Sequence, residues 1–132
     1  MGRYWKLMAE YCGETTTYAP VTATTSGASS PYKPDRDAHL IGLRVMESSQ
    51  AVTTVTTAVQ FRLTSSSFKP ESIEVGLVAA GIHTAPRAPP AVQDWTVDQY
   101  VKSGVDVTIE GRVTSAYANV TNEVLLYGLF EV

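Results

Sequence analysis

The sequence predicts an all-β protein: a single-domain antiparallel β-sandwich, a jelly-roll-like Greek key of seven to eight strands. Three observations predict it. From residue 38 to the C-terminus, short segments alternate apolar and polar residues with a period of 2, and none carries a helix period. Turn signals rich in Gly, Pro, Ser and Asn separate these segments. The chain has 132 residues, 44% apolar and 17% charged, which suits one folded core and not a disordered chain.

The elements follow in order. Residues 3–12 alternate Trp5, Leu7, Ala9 and Tyr11 against Tyr4, Lys6, Met8 and Glu10, which reads as a strand. A short amphipathic helix is the alternative there, because Leu, Met, Ala and Glu are good helix formers. Residues 13–37 are rich in Thr, Ser, Gly, Ala and Pro and are long for a loop. They form either an irregular edge strand around Tyr18 and Val21 or an arm lying on a neighbour. Residues 39–47 carry apolar side chains on both rows: His39, Ile41, Leu43 and Val45 on one, Leu40 and Met46 on the other. Residues 55–63 are the clearest strand, with Val59, Phe61 and Leu63 opposed to Gln60, Arg62 and Thr64.

Phe68, between Ser65-Ser-Ser and Lys69-Pro70, is placed to plug the end of the core. Residues 72–82 put Ile73, Val75 and Leu77 on one face, while Val78, Ala80 and Ile82 make the other face apolar toward its end. Pro86, Pro89 and Pro90 make residues 83–93 a stiff loop that cannot join a ladder. Residues 94–102 set Trp95, Val97 and Val101 against Thr96, Asp98 and Tyr100, with Trp95 expected in the core. Residues 105–113 set Val107 and Ile109 against Thr108 and Glu110. In residues 123–132, Val124, Leu126 and Phe130 oppose Leu125, Tyr127 and Leu129. Apolar residues on both rows suggest a central strand covered on both faces. The chain thus divides into an N-terminal strand (1–12), an extended arm or loop (13–37) and a sandwich core (38–132), one domain overall.

Chemistry is sparse. A net charge of −3 and ten scattered Lys and Arg argue against nucleic-acid binding. Cys12 is the single cysteine, so no intrachain disulfide is possible, and a buried apolar role is expected. His39 and His83 are far apart in the chain, too sparse for a clustered metal site. Asp106 and Glu110 share the solvent row of one strand, unlike a glycosidase pair around a cleft. No serine sits in Gly-x-Ser-x-Gly, and Gly76 and Gly81 lack the Lys and the spacing of a phosphate loop. Asn119-Val-Thr121 fits a glycosylation acceptor but carries little weight without an export signal. The expectation is no catalytic residue, no metal and no cofactor. No signal peptide or transmembrane segment is visible, so a soluble protein is expected.

Low charge, Thr-rich surfaces and doubly apolar strands fit a subunit that assembles through its sides. The expected function is a non-enzymatic structural protein, a homo-oligomer forming a closed ring of three to six subunits. A viral capsid or capsid-decoration protein is the expected setting, with other shell proteins as further partners, and no nucleic acid or membrane. Small jelly-roll proteins of icosahedral virus shells share this general plan. That is an analogy of fold and composition, and no motif identifies a family. The alternative is a carbohydrate- or surface-binding β-sandwich. The interface candidates are Tyr18, Val21, Tyr32, Val78, Ile82, Tyr100, Tyr117, Leu125, Tyr127 and Leu129.

Overall fold

Among the described residues, alternating sequence becomes eight strands in the computed structural model of the protein: β1 (Arg3–Tyr11), β2 (Ala19–Pro20), β3 (Ala38–Glu47), β4 (Thr57–Thr64), β5 (Ser72–Ala80), β6 (Val92–Val101), β7 (Thr108–Val113) and β8 (Val124–Glu131). The structure describes residues 2–11, 15–21, 30–47, 57–80, 92–113 and 124–132, with the backbone alone for 47, 57–58 and 77–80. The strands form two antiparallel four-stranded sheets, β1-β8-β3-β6 (sheet A) and β2-β7-β4-β5 (sheet B). β1 pairs with β8, β2 with β7, β3 with β6 and β4 with β5. One long antiparallel ribbon, rolled up so that β3 meets β8 and β4 meets β7, gives this order. It is the jelly-roll arrangement of a β-sandwich.

The inward rows are those the alternation predicts. Val59, Phe61, Leu63, Val107, Ile109, Val113, Val124, Leu126 and Phe130 are fully buried between the sheets. Phe68 joins them from the β4–β5 turn. β8 is a central strand, flanked by β1 and β3. Gly111 of β7 has no side chain because the Tyr11 ring lies over it; a Cβ there would stand 2.5 Å from Tyr11 Cδ1. Tyr11 in turn meets Phe61 edge-on, with ring centroids 6.2 Å apart.

Two row assignments change. The registers shift between Leu7 and Ala9 in β1 and between Leu40 and Gly42 in β3. Each shift is a bulge that turns the following residues to the other face. Met8 and Ala9 are therefore both buried, and His39 shares the outer face with Arg44 and Met46, not with Leu43 and Val45. Trp95 also departs from expectation. It is 37% exposed, at the margin of the core, and its indole N–H donates to the Gly76 carbonyl at 3.0 Å, linking β6 of one sheet to β5 of the other.

Of the two alternatives for residues 13–37, the described part takes the first, an irregular edge strand between Tyr18 and Val21. Where it is described, the segment lies on its own chain, along the outer edge of β7. Val113 N–H donates to Thr15 O, Val21 N–H to Ile109 O, and Tyr32 and Val107 exchange both backbone bonds at 2.8 and 2.9 Å. β2 pairs with Glu110 and Gly111 between them. An edge that would otherwise expose unpaired backbone is covered within the molecule.

The sheets are tied at one end by Gln99, a buried amide. It accepts from Lys69 N–H at 2.7 Å and donates to Lys69 O at 3.0 Å. Gln99→Leu leaves both backbone groups without that partner and should cost about 1–3 kcal/mol in denaturant unfolding. Phe61→Ala should cost roughly 3–5 kcal/mol, whereas Thr108→Asp on the exposed row of β7 should cost less than about 1 kcal/mol. Equal losses would contradict the face assignment.

Candidate interaction surface

The two sheets present unlike outer faces. On sheet B the outward rows are polar: Gln60, Arg62 and Thr64 of β4 stand beside Arg112, Glu110 and Thr108 of β7 and beside Glu74 and Ser72 of β5. Arg62 donates twice to Glu110 Oε1, at 3.0 and 2.8 Å, and Arg112 donates to Gln60 Oε1 at 2.8 Å. Both guanidiniums stack on the Tyr18 ring, each 4.3 Å from its centroid. Burial, and then the neighbouring Glu74, push the Tyr18 phenol above its ordinary value. Tyr18 thus fastens the segment before β2 to its own sheet.

On sheet A the outward rows are apolar through the centre. Pairing sets Leu129 of β8 beside Trp5 of β1, Tyr127 beside Leu7 of β1 and Arg44 of β3, and Leu125 beside Met46 of β3 and the buried Glu10 of β1. Trp5 is 44% exposed, and Val92 and Tyr100 of β6 are 50% and 61% exposed. Trp5, Arg44, Met46 and Tyr127 line a shallow hollow of about 160 Å³.

Charged groups stand around this centre in pairs. Arg44 lies with its guanidinium 4.6 Å from the Trp5 ring centroid and donates to both Asp94 oxygens, at 2.7 and 3.0 Å. Those bonds hold the Asp94 carboxyl below its ordinary range. Arg3 donates to Glu131 at 2.8 Å and lowers its pKa in the same way. His39 Nε2 is 2.5 Å from Asp98 Oδ1, and its ring stacks on Tyr100 with centroids 4.4 Å apart. A face whose charges are already neutralised by neighbours loses less on desolvation than one with isolated ions.

The interface candidates therefore separate. Leu125, Tyr127, Leu129 and Tyr100 share the outer face of sheet A. Val21, 3% exposed, and Tyr32 belong to the core of their own chain or pack against it, and Tyr18 is held on sheet B. Ile82 and Tyr117 lie outside the described residues, as do Cys12, His83 and Asn119, and only the backbone of Val78 is described. Sequence reasoning did not place Trp5, Leu7, Arg44, Met46 and Val92 on the surface. The outer row of β1 was legible in Trp5 and Leu7, but the bulge in β3 hid the partnership of Arg44 and Met46 with them. Among the described residues there is no group of three or more His, Cys, Asp or Glu able to hold a metal ion. No helix among them is long and apolar enough to cross a membrane. No protein-family model and no curated protein matches this sequence.

Tyr32 supplies a pH test of its placement. Burial, then Tyr4 and Asp35, push its phenol up to about 12 from 10.0. A raised folded-state value means that the contribution is fully present below the unfolded value and lost as pH rises through the folded one. Stability should fall between pH 10 and about 12, and Tyr32→Phe should reduce that slope in denaturant titrations. An unchanged slope would place Tyr32 in solvent.

Proposed function

We propose that the protein is a non-enzymatic structural subunit that assembles with copies of itself through the outer face of sheet A, in a viral capsid or capsid-decoration setting. The observation that carries this reading is the contrast between the two outer faces. Sheet B turns Thr, Ser, Gln and paired charges to solvent. Sheet A turns Trp5, Leu7, Met46, Leu125, Tyr127 and Leu129 outward. A single sandwich covers one face of each sheet, so a contiguous apolar outer face favours a protein neighbour.

Size and charge agree with this. Four strands about 4.8 Å apart and about 26 Å long present a face on the order of 500 Å² before side-chain relief. A standard interface takes about 800 Å² from each partner, so the face is of the right scale. A second copy is favoured over an unlike partner because the face carries both signs side by side, Arg44 with Asp94 and Arg3 with Glu131. Such a face can meet its own copy with opposite charges opposed. The eight-stranded jelly roll hosts shell proteins and sugar-binding domains alike, so the fold alone does not choose between them.

Native mass spectrometry at micromolar concentration should show a homo-oligomer. Tyr127→Glu combined with Trp5→Ser should reduce the mass to that of smaller species while leaving the β-type circular dichroism intact. Thr108→Asp on sheet B should leave the oligomer unchanged. A monomer for the parent protein would sink the proposal.

A further inference from the structure

At the end of sheet A, beyond the apolar centre, a hollow of about 360 Å³ opens between β3, β6 and β8. It is lined by Ala38, Val101 and Val132 and by Asp37, His39, Tyr100, Lys102 and Glu131. Its volume falls within the range of small-ligand sites, about 300–1,000 Å³. We propose that this hollow binds a neutral hexopyranose unit of a glycan.

The lining is held in place. His39 is fixed between Asp98 at 2.5 Å and the Tyr100 ring at 4.4 Å. Glu131 is held by Arg3, and Asp37 Oδ1 accepts from Ser103 N–H at 2.9 Å. The turn that carries Lys102 and Ser103 is set by Gly104, at φ +77, a conformation that suits glycine. Since His39 covers one side of Tyr100 and the residue is 61% exposed, an aromatic surface remains open to a ligand.

The chemistry of the lining selects the class. A pyranose has an apolar C–H face, which suits an aromatic ring, and a rim of hydroxyls, each both donor and acceptor. The Asp37 and Glu131 carboxylates keep spare lone pairs to accept from hydroxyls, and the Lys102 ammonium donates. Lys102 forms no ion pair among the described residues. The Asp37, Asp98 and Glu131 carboxylates stand beside Arg3, Lys102 and His39, so the hollow has no excess of cationic groups to draw phosphate or an anionic sugar. The hollow lies to one side of Trp5, Met46 and Tyr127, so binding there does not depend on self-assembly.

The test is an NMR titration of the ¹⁵N-labelled protein with methyl β-D-glucopyranoside, methyl β-D-galactopyranoside and methyl α-D-mannopyranoside, with glucuronate as the anionic control. At least one neutral glycoside should shift the amide signals of residues 100–103. Tyr100→Ala, at an exposed position, should leave the fold intact and weaken that binding at least about tenfold, while Tyr100→Phe should retain it. Glucuronate should bind more weakly than the neutral sugars. Absence of shifts with all three glycosides, equal binding by Tyr100→Ala, or tighter binding of glucuronate would overturn the proposal. The oligomer mass reads Trp5 and Tyr127, so either proposal can fail while the other stands.

Discussion

Strand β8 has to find its place between β1 and β3, and the architecture depends on that placement. Arg3 pairs with Glu131, and His39 pairs with the same residue from the other side. The first contact joins residues 128 positions apart. Closing so long a loop costs conformational entropy that no local interaction returns. What offsets it is burial of the alternate residues Val124, Leu126 and Phe130, together with the ladders on both edges of the strand. Phe130 also gathers Tyr4 and Tyr32 at ring distances of 5.6 and 6.0 Å, so the last strand, the first strand and the segment after β2 meet on one ring. A topology in which each of β1, β2 and β3 waits for a late partner is rich in non-local contacts and belongs to the slow-folding end of small domains.

The sequence disclosed this plan unevenly, for physical reasons. Alternation marks a strand buried on one face, so β4, β7 and β8 were legible down to the identity of Phe61, Ile109 and Leu126 as core residues. A bulge inserts one residue without a compositional signature, so the rows of β1 and β3 were exchanged partway along. Alternation therefore grouped His39 with Leu43 and Val45 and separated Met8 from Ala9, contrary to the structure. Trp95 lies on an inward row, and alternation cannot show that a row ends at the open side of a sandwich, where the indole bonds to Gly76. The segment before β3 was the hardest. Its Thr- and Ser-rich composition implies a need for an edge to lie on, but composition does not say whose edge. Here β7 of the same chain supplies it.

The surface was legible in one respect: β8 carries apolar side chains on both rows. Turning Val124, Leu126 and Phe130 inward obliges Leu125, Tyr127 and Leu129 to face out, because successive side chains of a strand alternate. β8 is central in sheet A, so this row falls in the middle of a face and not at an edge. Trp5 and Leu7 from β1 and Met46 from β3 widen it. β4 is central in the other sheet, and its outer row reads Gln60, Arg62, Thr64. The difference between the two faces is therefore written in the outer rows of the two central strands.

That placement also bears on how two proposed roles would share one face. The middle of the sheet A surface is largely apolar, and the Arg44 guanidinium sits over the Trp5 ring with its charge met by Asp94. Such a centre suits the dry core of a protein contact, where charge is depleted and paired. Toward the end with Asp37 and Lys102 the character changes to exposed ionic groups, an exposed Tyr100 and an open hollow. The rim of an interface stays wet and polar, so groups there remain able to bind small polar molecules after the centre is covered. A neighbour seated over Trp5 and Tyr127 would leave the Tyr100 end at its margin. On this arrangement, assembly would fix the orientation of the subunit, and the margin would be the part of sheet A still facing solvent.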